Sequence, residues 1–377
     1  MKTNTNSVDK MKIFQIIPHL GSGGAERFVV DLSNELSKMG HDVILCTLYI
    51  LEGPYGFYRT DISPAVRTIS LNKKPGLSVK AVIKFIQLVH REKPDVIHSH
   101  INALQYSAIS QIFQSKGVHT IHNEAHLEAT GFLELTLRRI LFRLRLIQPI
   151  TISKESDDSF FNFYHKHAQL IYNGRAIGDV HASQQVKDEI KQYKKNISTR
   201  VIVQLARFQK QKNIPMMARV AKRLSDEGYN FTLLFIGNTD NTAILNEVLA
   251  EKPDCAHVLG ERHNPLEYLK EADVFALSSL FEGMPISLLE ALAVGAIPVC
   301  TPVGGIPNVV KDKVNGFLSE DISEESYYNA LKKSLDADTD TLKKMREKAR
   351  ESFEPYSMKI CAKKYLILYN NLLKNKR

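Results

Sequence analysis

KIFQIIPHLGSGGAERFVVDLSNELSKMGHDVILCTLYI (residues 12–50) holds an apolar run at 12–17, the glycine-rich turn GSGGAE and a stretch of 3.6-residue periodicity from about Glu26 to Lys38. Gly40 closes that stretch, and DVILCTLYI follows as a second apolar run. An apolar run of strand length is buried on both faces, and a helix between two such runs is a right-handed crossover, so the strands are parallel. The alternation continues outward, with helices predicted near 78–92 and 102–115 and strands at 95–100 and 118–123. A basic helix (134–147), the strand PITIS, another helix and the strand QLIYNG (169–174) complete the first half. From about 175 to 198 the text turns polar and charged, then strands restart at 200–206, 230–237, 273–279 and 297–301. Helices at 214–227, 241–251, 285–294 and from 323 onward separate or follow them. The pattern predicts an α/β protein of two doubly wound parallel-sheet domains, residues 1–178 and 199–356, joined by a linker at 179–198. A last helix within 357–377 is expected to pack back on the first domain.

The 377 residues suit two domains at roughly 150 residues each. Apolar residues make up 44% and charged residues 24%, which excludes a disordered or collagen-like chain. No run reaches the ~18 apolar residues of a membrane span. The start, MKTNTNSVDKMKIFQII, has no apolar core before a small-residue cleavage site. Cys46, Cys255, Cys300 and Cys361 lie far apart without metal-site spacing, which points to a reduced, cytoplasmic protein. The net charge of +9 is spread over both halves, so no nucleic-acid tail stands out, while anionic small molecules or membrane surfaces remain suitable partners.

Four segments sit at strand ends, where open parallel sheets bind ligands. Gly23 and Gly24 open a helix whose N-terminus suits an anion, although a plain strand–helix turn would read the same way. Arg207 and Lys212, in LARFQKQKN, offer a forked donor and a point charge for a diphosphate, or are a solvated loop. Glu282 and Glu290 flank FEGMPISLLE, with Pro285 expected in the first helical turn and the N–H groups of Gly283 and Met284 before it. At ~1.5 Å rise per residue the carboxylates fall ~10 Å or more apart, too far for a retaining glycosidase pair and suited to two contacts on one extended ligand. His98, His100 and His122 end apolar strands, as structural groups or as partners of a hydroxyl or proton.

Together the segments resemble a known family. FEGMPISLLEALAVGAIPVCTPVGGIPNVVKDKVNGFL (281–318) is similar to the signature segment of glycosyltransferase family 4. The likeness runs from GSGGAE through HSH, TIHN, ISKES and IYNG to LARFQKQKN. It implies the GT-B fold, two Rossmann-like domains facing each other across a cleft that holds the active site. It implies transfer of a hexose or N-acetylhexosamine, with retention, from a nucleotide-diphosphate sugar, UDP first, to a lipid-linked or polysaccharide acceptor. An epimerase or a non-catalytic partner-binding subunit of the same fold are the alternatives.

By the same resemblance, Arg207 and Lys212 hold the diphosphate, Glu282 with Gly283, Met284 and Pro285 binds the sugar, and Glu290 binds the ribose. Gly23 and Gly24 approach the diphosphate, and His122 contacts the sugar near the reacting centre. Neither cofactor nor metal is expected, since the Asp-x-Asp pairs Asp336/Asp338 and Asp338/Asp340 lie in a late helical linker. The chain departs from the family where Arg175-Ala176 follow Asn173-Gly174, in place of an apolar residue and Asp. A helix over 133–147 groups Leu133, Leu137, Leu141 and Leu144 beside Arg138, Arg139, Arg143 and Arg145, which predicts contact with an anionic membrane at its inner face.

Overall fold

The computed structural model describes residues 10–123, 125–128 and 131–374. It divides into two compact units, Met1–Ala176 with Met358–Arg377, and Ile177–Ser357. The first unit is therefore discontinuous in sequence.

Its sheet has seven parallel strands: β1 (Lys12–Ile17), β2 (Asp42–Thr47), β3 (Arg67–Ser70), β4 (Val96–His100), β5 (Lys116–Ile121), β6 (Gln148–Thr151) and β7 (Gln169–Leu170). Their order is β3-β2-β1-β4-β5-β6-β7. The second unit has β8 (Arg200–Leu205), β9 (Phe231–Ile236), β10 (Ala256–Gly260), β11 (Val274–Leu277), β12 (Ile297–Cys300) and β13 (Phe317–Leu318), ordered β10-β9-β8-β11-β12-β13. Both orders reverse direction once, as the crossover rule requires of a doubly wound sheet.

The central strands are buried along nearly their whole length because helices cover both faces. In the first unit Phe14, Ile44, Phe85, Leu88 and Ile97 form one such core; in the second Ile202, Met217, Leu224, Leu233 and Phe235 form another. Each such side chain contributes about 1.5–3 kcal/mol by leaving water. The helix Met358–Lys374 packs on the helix Gly24–Lys38 and on β5, all within the first unit.

Three strands escaped the periodicity, each with a physical reason. β3 carries the half-exposed text RTIS at a sheet edge, β10 is an edge with a bulge, and β13 is two residues long. Within the stretch read as a linker, Gln184–Tyr193 forms a helix of the second unit. Ser183 caps it, and only Val186 and Ile190, one turn apart, are buried. The basic helix runs Phe132–Arg143, so Arg145 lies beyond its end, at φ 55. No helix among the described residues is long and apolar enough to cross a membrane.

Candidate active site

In each sheet one pair of neighbouring strands sends its connections in opposite directions, and the crevice at their carboxyl ends is the natural ligand site. These pairs are β1 with β4 and β8 with β11.

In the second unit, β8 runs into the loop with Arg207 and Lys212, and β11 into the loop with Ser278, Ser279 and Glu282. The loops are stitched together. Ser278 Oγ donates to the carbonyls of Lys212 and Asn213, and the Leu280 N–H donates to the Gln211 carbonyl. Gln211 Nε2 donates to the Phe281 carbonyl at 2.9 Å. At the centre Lys212 Nζ meets Glu282 Oε1 at 2.5 Å, and Ser279 Oγ donates to the same oxygen at 2.6 Å. The Glu282 side chain is only 5% exposed, so its ion pair is shielded from water and salt. Arg207 is exposed at the head of its loop.

Two glycines allow this approach. Gly304 has φ +53, and a Cβ on it would stand 1.8 Å from the Glu282 carbonyl oxygen. Gly237 has φ +148, and a Cβ there would stand 2.1 Å from the Ala206 carbonyl oxygen. A side chain at Gly304 would displace the segment that carries Glu282, and one at Gly237 the segment that carries Arg207.

Glu290 lies inside the helix Ile286–Val294 and is buried, as are Gly283 and Met284. Pro285 stands one residue earlier than expected, as the N-cap with ψ 123. Its carbonyl accepts from Leu289, which is the N-cap's part in a helix. Two of the three Asp-x-Asp residues have side-chain partners: Asp338 caps the helix Thr339–Phe353 by accepting from Thr341, and Asp336 accepts from Tyr229.

In the first unit, Gly23 is the N-cap of the helix Gly24–Lys38. The Glu26 carboxylate folds back over Gly23, with His19 Nδ1 at 3.5 Å, so an anion arriving there meets a carboxylate already present. At the ends of β4 and β5, His100 Nδ1 pairs with His122 Nε2 at 3.0 Å, and His98 pairs with Tyr369 and Thr120 at 2.7 Å each. Burial lowers all these histidines, His122 to about 3, and each is neutral at neutral pH. A neutral imidazole offers hydrogen bonding and no positive charge. Its backbone N–H donates to Glu128 Oε1, a contact the sequence did not disclose.

Arg175, the departure from the family text, is a buried partner of Asp31 at 2.6 Å. Arg138 is a correction to the membrane expectation. It is 1% exposed, bonded to Glu134 at 2.7 Å, to Glu128 at 3.3 Å and to the Ile101 carbonyl at 3.2 Å. Two carboxylates keep this guanidinium inside, where no bilayer can reach it. Arg139, Arg143 and Arg145 are exposed beside Phe132, Ile140 and Leu144, while Leu141 faces the core. Leu137 is half-buried, and the side chain of Leu133 lies outside the described residues.

Comparison with known proteins adds independent findings. Residues 22–176 match the model for Glycosyltransferase Family 4, and residues 185–352 that for Glycosyl transferases group 1. A relative from Campylobacter jejuni, N-acetylgalactosamine-N,N'-diacetylbacillosaminyl-diphospho-undecaprenol 4-alpha-N-acetylgalactosaminyltransferase, is 24% identical over 96% of this chain and 100% of its own. The N-acetyl-alpha-D-glucosaminyl L-malate synthase of Bacillus anthracis is 22% identical over 94% of this chain and 95% of its own. The Anabaena protein HepE, solved in complex with UDP and glucose, superposes with a TM-score of 0.79 at 18% identity, covering 96% of this chain and 99% of that one.

Proposed function

Since the chain belongs to glycosyltransferase family 4 and has the GT-B fold, we propose that it moves a hexose or N-acetylhexosamine, with retention, from a UDP-sugar to a lipid-linked glycan acceptor. The observation that carries this reading is the Lys212–Glu282 pair at the carboxyl ends of β8 and β11, with Arg207 in the same loop. Lys212 and Arg207 neutralise the charge that grows on the departing diphosphate, without a metal. Glu282 and the backbone of Gly283 and Met284, which Pro285 follows, receive the sugar hydroxyls, and Glu290 accepts from the ribose. Gly23 and Gly24 meet the diphosphate once Glu26 has moved aside, and neutral His122 contacts the sugar. The acceptor oxygen attacks the anomeric carbon on the face from which the diphosphate leaves. The old carbon–oxygen bond breaks, the new one forms on that face, and the acceptor's proton passes to the leaving phosphate oxygen.

UDP is the nucleotide in the Anabaena complex, and an undecaprenol-linked acceptor is named for the Campylobacter relative, which together support donor and acceptor class. The malate of the Bacillus relative is the competing acceptor class. Exposed Arg139, Arg143 and Arg145 beside exposed Phe132, Ile140 and Leu144 fit an anionic inner-membrane face that presents a lipid-linked acceptor. Each cation contributes about 1 kcal/mol there. The test follows release of free nucleotide from UDP-, GDP- and ADP-sugars, with undecaprenol-linked glycan or malate as acceptor, before and after chelation. Turnover of a UDP-sugar with the lipid-linked acceptor alone, unchanged by chelator, is expected; turnover lost on chelation, or only with malate, overturns it. In co-sedimentation with anionic vesicles, binding should fall when Arg139, Arg143 and Arg145 become Glu, and persistence of binding removes this helix as the contact.

A further inference from the structure

The histidines at the strand ends are joined to a longer chain of polar groups. Gln15 on β1 stands in register opposite His98 on β4, and it is fully buried. His98 and His100 share a face because strand side chains alternate, and Thr120 and His122 follow the same rule across β5. The helix Met358–Lys374 covers that face with Tyr365 and Tyr369, one turn apart. Tyr369 bonds His98 Nδ1, His98 Nε2 bonds Thr120 Oγ1, and Thr120 Oγ1 bonds Tyr365 at 3.0 Å. At the far end of that network the Gln15 Nε2 amide is buried without a hydrogen-bond partner among the described residues.

The other end of Gln15 decides the direction of the chain. Its carbonyl oxygen Oε1 lies 2.8 Å from His100 Nε2, and an oxygen of this kind only accepts. His100 therefore carries its proton on Nε2, and its bare Nδ1 accepts from His122 Nε2 at 3.0 Å. We infer that Gln15, buried on β1, is a positioning residue that fixes His122 as the Nε2–H tautomer with Nδ1 as a bare acceptor. What that acceptor receives is a hydroxyl proton of the donor sugar, a step that rests on the reading of His122 given above. The ring cannot present a donor at Nδ1 without reversing His100 and the Gln15 amide together.

The test is the nitrogen spectrum of the full-length protein labelled with 15N-histidine, with the His122 signals assigned by loss in His122→Gln. At neutral pH the wild type is expected to show His122 protonated at Nε2 and bare at Nδ1. Gln15→Met and Gln15→Leu, each checked for a cooperative melt, are expected to give a mixture of the two tautomers. They should also lower kcat/KM for the nucleotide sugar about tenfold, with affinity for free nucleotide unchanged. A wild-type His122 protonated at Nδ1 overturns the inference, as does a wild-type tautomer in both folded variants. If the variants shift the tautomer yet turnover is unaffected, the relay stands and the contact between His122 and the sugar fails instead.

Discussion

The strand-end polar groups of the first unit are neutral and satisfy one another, whereas those of the second are charged and meet across an ion pair. His98, His100 and His122 are held uncharged by burial, and hydrogen bonds to Gln15, Thr120 and Tyr369 orient His98 and His100. Lys212 and Glu282 form an ion pair, beside an exposed Arg207. Neutral groups in low dielectric fix orientation and direction of hydrogen bonding, whereas charges in low dielectric attract one another strongly. The two units therefore offer a ligand different chemistry, neutral hydrogen bonds from the first and an ion pair with an exposed guanidinium from the second.

Acid should separate the units most strongly. Each buried histidine has a folded pKa below its ordinary value of 6.5, His122 at about 3. The unfolded chain binds the extra protons, so stability is complete above pH 6.5 and is lost as pH falls from there toward 3. The loss is about 1.4 kcal/mol per pH unit for each such histidine. Calorimetry between pH 7.5 and 4.5 should show the first unit melting earlier as the buffer is acidified, and a pH-independent profile would refute the neutral assignment.

Arg138→Ala comes next, because it strands Glu128 and Glu134. A broken buried pair costs about 3–5 kcal/mol. Denaturant unfolding should register that loss, while Arg143→Ala leaves the midpoint within experimental scatter. Arg207→Ala should lower turnover by roughly 2.7–4 kcal/mol of barrier with the fold intact. An Ala variant with wild-type turnover would reduce that residue to a solvated loop. Smallest is the division between the carboxylates, where Glu282→Gln should weaken the nucleotide sugar and spare the free nucleotide, and Glu290→Gln should weaken both, each by about 1.5–3 kcal/mol. Equal losses of free nucleotide would erase the distinction.

The long alternation of KIFQII, DVILCT, RVIVQL and FTLLFI was legible because fully buried parallel strands write themselves as unbroken apolar text. The helix Gln184–Tyr193 was not, since it touches its core through Val186 and Ile190 alone and the other eight positions are solvent text. Arg138 shows the same limit at one residue. Its i,i+4 partner Glu134 stands in the same helix, but Glu128 belongs to another element, and only their convergence decides that this arginine, among four in the segment, is internal. Ser279, three residues before Glu282, was within sight of the motif; Tyr369, 271 residues from His98, was not.

The discontinuous first unit has a consequence for the order of synthesis. Residues 177–357 emerge complete while the seven-stranded sheet still lacks the helix Met358–Lys374. Until that helix is made, Phe28, His98 and Thr120 face water where Tyr365 and Tyr369 will lie. A nascent chain stalled before that helix is complete would thus hold a finished second unit and an open first one. Quality control acting on exposed apolar surface would find its substrate in the segment made first, although the missing piece follows the whole second unit.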